Sequence, residues 1–310
     1  MQTMRLLTTQ GPLAANQLGS MLAHEHVVAD LRPLGEHESS LAHPIDAIRT
    51  LIEPEVRAAL AVGVTAIVEA TPVGVGRRAD AIEAISRVTG MPFALATGIY
   101  REPWVPDWVR RSSSSRLTEW MLGELQDRVA GTDTPAAWIK LSAGDGGMTA
   151  EEERILRAAA RAAVETGCAI GSHTTRAEVV EAQLDILEDE SVPAERFVWI
   201  HAQVEPDAAR RRELADRGCW IELDWIGRWP TDEEYIVLIS DLMEADLGDR
   251  ILLSQDCGWY DPADPDGGLA CGPYTGMHER FLPLLKERGF DEEILEQLTV
   301  DNPFRAFSRP

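Results

Sequence analysis

Eight short apolar segments alternate with segments of helical pattern along this chain, and that repeat limits the fold more strongly than any other feature of the sequence. The apolar segments span residues 21–27, 64–70, 92–98, 137–142, 168–172, 196–200, 219–223 and 250–255. Strands and helices that alternate about eight times predict an α/β fold in which a parallel sheet closes into a (β/α)8 TIM barrel. Because such a barrel takes about 250 residues, residues 1–310 are predicted to form a single domain with a few long loops.

Capping residues and glycines mark the ends of the helical segments. Thr149, followed three residues later by Glu152, has the pattern of a capping box and predicts a helix over residues 151–166. A second helix, over residues 53–62, is predicted to end at Gly63. Each apolar segment begins again soon after such a glycine, which is the expected order of a βα repeat.

Two long segments interrupt the repeat. Residues 103–115 follow the third apolar segment and are rich in Pro, Trp, Arg and Ser, while residues 257–276 follow the eighth and carry Gly, Pro and Asp. Structureless connections of this length are uncommon in a compact domain and usually serve as lids or binding loops. Both are predicted to lie over the mouth of the barrel.

Composition argues against two classes of partner. With 52 acidic and 29 basic residues the net charge is −23, which would repel nucleic acids and anionic lipid. No run approaches the about 20 apolar residues of a membrane helix. Residues 1–16 have no apolar stretch as long as that of a secretory signal, so secretion by that route is not expected. Cys168, Cys219, Cys257 and Cys271 show no close paired spacing and are predicted to be reduced core residues. A cytoplasmic protein is expected.

Residues that can bind metal or move protons stand at or just past the ends of the apolar segments. They are His24, His26, Glu69, Tyr100, Lys140, His173, His201, Asp224 and Asp256. In parallel barrels the carboxyl ends of the strands form one rim, so these side chains are predicted to converge there. Four histidines and an aspartate on one rim favour a metal site over packing.

The first two histidines are separated by one residue. In an extended strand His24 and His26 project to the same side and can share one ion, with Glu25 pointing the other way. For this motif alone, the alternative is a pair of hydrogen-bonded core histidines. Glu69 is predicted to be a structural partner inside the barrel and not a catalyst.

Lys140 lies inside an apolar segment, where an isolated ammonium group is costly to bury. Burial lowers the pKa of a lysine and favours the neutral amine, which is a nucleophile. Such an amine can add carbon dioxide and become a carbamate, an anion able to bridge two cations. The alternative is an ion pair with Glu69 or Asp256, and spacing alone leaves both interpretations open.

These motifs together resemble the phosphotriesterase and phosphotriesterase-like lactonase branch of the amidohydrolase superfamily. The resemblance covers nearly the whole sequence and is carried by residues 24–26, 97–100, 139–141, 172–174, 200–201, 223–224, 253–256 and 301–303. It implies a TIM barrel with a binuclear metal site at the carboxyl-terminal ends of the strands. It also suggests a homodimer.

The resemblance implies a ligand at each of six positions. Transferred position by position, the ligands are His24, His26, Lys140, His173, His201 and Asp256. The first two histidines and the aspartate would hold the more buried ion, and the other two histidines the more exposed one. Lys140, converted by CO2 to N6-carboxylysine, would bridge both. Zinc suits these nitrogen and oxygen ligands best, with manganese, cobalt or iron as alternatives.

The mechanism implied by the resemblance is hydrolysis, in which a metal-bridging hydroxide attacks an ester-type centre. Asp256 would accept a proton from the nucleophile. Asp224 would help to carry that proton, or would instead anchor Arg228 or a histidine ligand.

Tyr100 favours a lactone substrate, because lactonases of this family place a tyrosine after the third strand. Trp259 is expected to line an apolar pocket, and Arg101 and Arg228 are candidate substrate contacts. Arginines near the mouth, including Arg77 and Arg78, would either bind an anionic group of the substrate or pair with surface acids.

Three hypotheses of function follow from these residues. The first is a lactonase or carboxylic-ester hydrolase with two metal ions. The second is a phosphotriester hydrolase that shares the site and differs in its pocket. The third is a non-catalytic metal-binding barrel.

Overall fold

Nine parallel strands make up the sheet of this protein, for which a computed structural model describes residues 3–35, 42–264 and 268–310. The strands are β1 Met21–Glu25, β2 Ala66–Glu69, β3 Phe93–Ala94, β4 Ala96–Thr97, β5 Trp138–Ser142, β6 Ile170–His173, β7 Phe197–Ile200, β8 Trp220–Leu223 and β9 Ile251–Leu253. Each predicted apolar segment therefore overlaps a strand, and the third overlaps two. Strand β3 pairs with β2 and strand β4 pairs with β5, so this one segment joins the two parts of the sheet.

The first and last strands lie side by side and close the barrel. The backbone N–H of Asp256 donates to the carbonyl oxygen of His24 at 3.3 Å, and the N–H of His24 donates to Ser254 Oγ at 3.0 Å. A parallel bridge between Val28 and Tyr260 continues this contact beyond the strands. The closure brings residues from opposite ends of the sequence to the same rim.

Helices connect the strands and pack outside the barrel, where α1 lies against α2 and α4 against α5. They are α1 Ile45–Ala61, α2 Ala79–Thr89, α3 Asp107–Arg111, α4 Ser114–Gln126, α5 Ala150–Thr166, α6 Ala177–Asp189, α7 Ala208–Asp216, α8 Asp232–Glu244, α9 Leu282–Glu287, α10 Glu292–Glu296 and α11 Asn302–Phe307. In the part of the chain that the structure describes, none of the helices combines the length and the apolar character that crossing a membrane requires.

Helix α5 begins as predicted, and α1 does not. The Thr149 hydroxyl accepts from the N–H of Glu152, and the Glu152 carboxylate accepts from the N–H of Thr149, which confirms the capping box. Helix α1 begins at Ile45, eight residues before the predicted start, and contains Pro54. A proline favours the first turn of a helix, but the buried face that includes Ile52 and other apolar residues holds this helix together on both sides of it.

The two long segments after the third and eighth apolar segments contain regular structure. In residues 103–115, the short helix α3 and the start of α4 replace most of the predicted loop, because Ser113 caps α4 by accepting from the N–H of Arg116. In residues 257–276, an antiparallel bridge joins Tyr260 and Leu269, and the N–H of Gly258 donates to the carbonyl oxygen of Ala270 at 2.9 Å. Residues 265–267 of the second segment lie outside the described residues.

Candidate functional site

The barrel interior changes from apolar to polar along its axis. In β5 the interior position at Trp138 is followed two residues later by Lys140. In β8 Trp220 is followed by Glu222, and Asp224 comes next on the same face, just past the end of the strand. Positions two residues apart share one face of a strand. The apolar side chains therefore fill the amino-terminal end of the barrel, and the polar ones gather at the carboxyl-terminal end, where barrels of this kind hold their active sites.

A β-bulge at the end of β1 sets the positions of the first two histidines. The register between β1 and β2 shifts between Leu22 and Glu25, and bulges commonly redirect side chains beside active sites. His26 Nε2 lies 3.2 Å from Asp256 Oδ1, and His24 Nε2 lies 3.8 Å from the same oxygen. Ligand atoms of these three residues all lie within 4.8 Å of one another, so the group can hold one cation.

Asp256 supplies the negative charge of this group. Burial disfavours its carboxylate, but the hydrogen bond with His26 and the electrostatic interaction with the His24 ring outweigh burial, so the pKa of Asp256 lies well below its usual value. Trp225 Nε1 donates to Asp256 Oδ2 at 2.8 Å, and Arg228 Nη1 lies 3.3 Å from the same oxygen. These contacts hold Oδ2 and leave Oδ1 directed at the histidines.

His173 and His201 form a second group beside the first. His201 Nε2 lies 2.8 Å from His173 Nδ1, and the Tyr100 hydroxyl lies 3.2 Å from the same His173 nitrogen. Asp224 Oδ1 lies 2.7 Å from His201 Nδ1 and accepts from Gln203 Nε2 at 2.8 Å. A histidine that donates from Nδ1 to a carboxylate keeps its lone pair on Nε2. Nitrogens of both rings thus converge on one point.

Lys140 lies between the two groups and is only 2% exposed. Its Nζ is 3.4 Å from His24 Nε2. Within the described residues no carboxylate oxygen lies within 4 Å of Nζ, so the ion pair with Glu69 or Asp256 is not formed. Burial lowers the pKa of Lys140 even though nearby carboxylates raise it. Lys140 is therefore a buried amine that has no carboxylate at ion-pair distance in the part of the chain that the structure describes.

Burial also keeps two of the histidines neutral. The pKa of His24 and the pKa of His173 both lie well below 6.5, first because the rings are desolvated and second because the neighbouring Lys140 and His201, respectively, disfavour a further positive charge. A neutral imidazole is the form that binds metal.

Glu222 and Thr71 contact the predicted ligands but were not predicted from the sequence. Glu222 Oε2 lies 2.8 Å from His24 Nδ1, and Thr71 Oγ1 lies 2.7 Å from His26 Nδ1. Burial, with the nearby charge of Asp224, raises the pKa of Glu222 well above its usual value. The available signal was a charged residue within an apolar segment, the same signal that singled out Lys140.

Glu25 and Glu69 have structural contacts. Glu25 is buried and accepts from Ser254 Oγ at 2.8 Å and from the N–H of Cys257 at 2.8 Å, so it anchors the segment after β9. Burial raises the pKa of Glu25 to about 8. Glu69 accepts from the hydroxyl and the N–H of Thr71.

The predicted substrate-binding residues divide into two sets. Tyr100 is buried next to His173, and burial raises its pKa to about 12, so the phenol stays protonated. The Trp259 ring packs edge-on against His26, with centroids 5.8 Å apart. Arg101 instead donates to the carbonyl oxygen of Ala143 at 3.3 Å.

The remaining arginines near the mouth are engaged by groups of the protein itself. Arg228 Nη1 donates to the backbone carbonyl oxygen of Asp256 at 2.8 Å. Arg77 forms a two-pronged pair with Glu124, and Arg78 forms one with Asp80. For Arg77 and Arg78 the alternative of pairing with acids is therefore the one that the structure shows.

The cysteines depart from the prediction in one respect. All four are free thiols, and Cys271 is exposed, so the prediction that all lie in the core is wrong for this residue. Cys257 Sγ donates to the carbonyl oxygen of Cys271 at 3.1 Å. The two residues are distant in sequence but are brought together because the segment after β9 folds back on itself.

A large cavity lies apart from the histidines. Its volume is about 770 Å³, and its lining includes Gly74, Gly76, Pro106 and Trp108. Its lining contains none of the predicted ligands, so the polar rim and not this cavity defines the candidate site.

The residues at the rim suit divalent metal ions in type and in arrangement. Four imidazoles and one carboxylate are the nitrogen and oxygen donors that zinc and similar ions prefer. His24, His26 and Asp256 lie close enough to share one ion, and the converging nitrogens of His173 and His201 offer a second position. The buried amine of Lys140 lies beside them.

Comparison with known proteins identifies the family. The model of the phosphotriesterase family matches residues 4–307. A phosphotriesterase homology protein of Mycobacterium tuberculosis (strain CDC 1551 / Oshkosh) is 28% identical over 328 residues, covering 98% of each chain. An aryldialkylphosphatase of Saccharolobus solfataricus is 26% identical over 312 residues, covering 97% of this chain and 99% of the relative.

A solved structure gives the same result for the fold. The crystal structure of a lactonase from Listeria monocytogenes superposes with a TM-score of 0.86 at 25% identity and covers 98% of each chain. This likeness confirms the predicted α/β barrel. Taken with the match over almost the whole length, it establishes that this chain belongs to the phosphotriesterase family and is an ester-hydrolysing enzyme.

Proposed function

We propose that this enzyme opens lactones or cleaves related carboxylic esters of small molecules, with two divalent metal ions as cofactors. The observation that carries the proposal is the meeting of four histidines and Asp256 around a buried lysine that has no carboxylate partner among the described residues. Metal ions would bind the nitrogen and oxygen lone pairs of this group and would balance the buried carboxylate.

The donor geometry supports an assignment of ligands to two positions. His24, His26 and Asp256 would hold the more buried ion, and His173 and His201 the more exposed one. Zinc suits this mixture of imidazole and carboxylate best, and manganese, cobalt and iron are the alternatives to test.

Lys140 would bridge the two positions as N6-carboxylysine. Its amine nitrogen adds to the carbon of CO2, a N–C bond forms, and one proton leaves to solvent, which gives a carbamate anion. Burial supports this step because it lowers the pKa of Lys140 and so favours the reactive neutral amine. The carbamate would also provide the anionic group that is missing beside Nζ.

The Lewis acidity that two ions held by these residues would supply is the kind that polarises a substrate oxygen and lowers the pKa of a water molecule. Asp256 would accept the proton of the attacking water, because its low pKa keeps it ionised and its Oδ1 faces the site. Trp225 and Arg228 hold its other oxygen in place. Asp224 holds His201 by its Nδ1 and stands as the candidate for carrying the proton onward.

Tyr100 supports a lactone over a phosphotriester as the substrate. Its hydroxyl lies at the site, 3.2 Å from His173 Nδ1, and its pKa of about 12 keeps it available as a hydrogen-bond donor to a carbonyl or ring oxygen. The likeness to a lactonase structure points the same way. Trp259 would form one wall of the pocket next to His26.

Phosphotriester hydrolysis is the second candidate, because the relative of Saccharolobus solfataricus is named an aryldialkylphosphatase. It would use the same metal ligands. A non-catalytic barrel, the third hypothesis, is set aside because the family to which the chain belongs consists of metal-dependent hydrolases.

Three further properties belong to this proposal. Residues 1–310 would form a single hydrolase domain, which the family match over residues 4–307 supports. A homodimer is supported by the family resemblance, and light scattering of the purified protein would test it. A cytoplasmic location is supported by the four free thiols.

The test uses the protein loaded separately with zinc, manganese, cobalt or iron, and measures metal content and hydrolysis. The panel contains γ-lactones, acyl-homoserine lactones, sugar lactones, a simple carboxylic ester and an organophosphate. We expect two ions per chain and the highest kcat/KM on a lactone. One tight ion and no turnover on any member would contradict the proposal.

The sequence offers a matched control for Lys140, because the chain has only two lysines and the other, Lys286, is half exposed. We expect Lys140→Ala to lose metal and activity, with partial rescue by a short carboxylate, and Lys286→Ala to behave as wild type. In protein loaded with ¹³C-bicarbonate, a carbamate signal should be absent only from Lys140→Ala. A Lys140→Ala protein with full activity would overturn the role of the carbamate.

A further inference from the structure

The two ring nitrogens of His24 face different surroundings. Nε2 faces the candidate metal site, 3.4 Å from Lys140 Nζ and 3.8 Å from Asp256 Oδ1. Nδ1 faces the barrel axis below the site, 2.8 Å from Glu222 Oε2 and 3.6 Å from Asp224 Oδ2. Since a neutral imidazole carries one proton, the partner of Nδ1 decides which nitrogen is free to bind an ion.

Packing in β8 does not require a glutamate at position 222. Glu222 is fully buried in β8, opposite Leu252 of β9, in a position where an apolar side chain would fill the same space. Among the described residues no arginine or lysine pairs with it, and its Oε1 has no hydrogen-bond partner. Burying a carboxyl group with so few partners costs free energy. Besides Asp224, whose contact raises the pKa of Glu222 further, His24 is the hydrogen-bond partner of this side chain.

The next acid along the chain, Asp224, contacts a second histidine in the same way. Asp224, two residues further along, lies 2.7 Å from His201 Nδ1 and so leaves His201 Nε2 to face the site. Glu222 in β8 and Asp224 just past its end thus lie on one face, and each contacts the Nδ1 of a different predicted ligand. His24 belongs to the first metal position and His201 to the second.

We propose that Glu222 is a positioning residue that accepts the Nδ1 proton of His24 and thereby directs the Nε2 lone pair to the more buried metal ion. The inference rests on the proposed function, because it takes His24 to be a ligand. Residues that orient a ligand in this way commonly change metal affinity by about 10–100-fold when they are removed.

The first measurement uses the unaltered protein without metal. Long-range ¹H–¹⁵N correlation spectra report which nitrogen of each histidine carries the proton, and comparison with a His24→Asn protein assigns the signals of His24. We expect the proton on Nδ1. A proton on Nε2 would overturn the proposal, and this measurement carries no risk of misfolding.

The second measurement compares two substitutions of similar size. In Glu222→Gln the amide oxygen can still accept from His24 Nδ1 while the amide NH2 donates to Asp224, so we expect metal affinity within about threefold of wild type, a change of less than 1 kcal/mol. In Glu222→Met the acceptor is lost, and we expect affinity for the first ion to fall by about 10–100-fold in chelator competition. Equal affinity in Glu222→Met and wild type, or an equal loss in both variants, would overturn the proposal.

A matched control separates positioning from stability. Glu124 is also a buried carboxylate, but it pairs with Arg77 and Thr97 and contacts none of the ligands. Glu124→Met should lower the free energy of unfolding and leave the affinity of the folded protein for metal unchanged. A loss of metal affinity as large as that in Glu222→Met would contradict a specific role for Glu222. If Glu222→Met does not fold, the spectra of the wild type and the affinity of Glu222→Gln still decide.

The two proposals fail in different ways. A wild-type protein that binds no metal refutes the proposed function. A wild-type protein that binds two ions and hydrolyses its substrate, with Glu222→Met binding metal equally well, refutes only the positioning role.

Discussion

At the residue scale, Asp224 has two candidate roles that a single substitution separates. Its Oδ1 lies 2.7 Å from His201 Nδ1, and its side chain is fully buried. Both oxygens of Asp224 contact His201, one at Nδ1 and the other at the backbone N–H, so Asp224→Asn must place an NH2 group opposite one of these donors. If Asp224 anchors His201, metal affinity should therefore fall by about 10–100-fold. Chelator competition measures this, with the exposed Asp145→Asn as control. Unchanged affinity with a large fall in kcat would assign Asp224 to proton transfer instead.

Tyr100 offers a test of substrate class. The Tyr100 hydroxyl lies 3.2 Å from His173 Nδ1, and Tyr100→Phe removes this hydroxyl without changing the ring. A lost hydrogen bond of about 1 kcal/mol should lower kcat/KM on lactones by about fivefold to tenfold. We expect a much smaller effect on an organophosphate.

Kinetics on both substrates with Tyr100→Phe, and with Tyr260→Phe as control, would measure the difference. The Tyr260 hydroxyl contacts His43 and none of the predicted ligands. Equal losses on the two substrates in Tyr100→Phe would contradict a role specific to lactones.

At the scale of elements, the pairing of β4 with β5 determines where Lys140 lies. Gly98 follows β4 with φ +117°, and a Cβ at this position would collide with the backbone of Lys140. Gly98→Ala should therefore separate the strands, destabilise the protein by several kcal/mol, on the order of 3 or more, and displace Lys140. Urea unfolding followed by circular dichroism measures the loss.

A substitution at Gly123 in helix α4 should have the opposite effect on stability from one at Gly98. Gly123 lies on the exposed face of α4, and a Cβ there meets no other atom within 4 Å. Because alanine favours a helix over glycine, Gly123→Ala should stabilise the protein by about 0.5–1 kcal/mol in the same measurement. A destabilisation by Gly123→Ala, or a neutral Gly98→Ala, would contradict this account of the two glycines.

The sequence predicts the order of elements well because the strands are short, apolar and bounded by helix ends. Strands such as β5 and β8 fall within their predicted segments, and the capping box of α5 begins where expected. The start of α1 was not predictable from local signals, since burial of one face against the core overrides Pro54. Helix α3 was missed because five residues are too few for a periodic pattern.

The candidate site was predictable to the extent that its residues stand at strand ends. The motif around His24 and His26 could be recognised, and the apolar neighbours of Lys140 predicted that its amine is buried. The contact of Glu222 with His24 could not be predicted, because these residues are distant in sequence and meet only when the barrel closes. The pairing of Arg228 with Asp256 likewise depends on how two loops meet.

At the scale of the whole molecule, burial should make metal retention tolerant of acid. A histidine with a lowered pKa stays neutral until the pH falls to that lowered value, and the pKa values of His24 and His173 lie well below 6.5. Between those values and pH 6.5 these two imidazoles remain deprotonated and able to bind. The midpoint of metal loss should therefore lie below pH 6.5. The metal content after dialysis between about pH 4.5 and about pH 8 measures this midpoint, because the range extends to both sides of the ordinary histidine pKa of about 6.5. A midpoint at or above 6.5 would contradict it.

The contact between the first and last strands has a consequence for biosynthesis. The backbone of Asp256 bonds to that of His24, and the Asp256 side chain faces both histidines of the first strand. During translation those histidines leave the ribosome long before the aspartate does. A nascent chain that has not yet reached Asp256 therefore cannot bring together the candidate metal-binding group of His24, His26 and Asp256, so this group forms only after the strand β9 has been made.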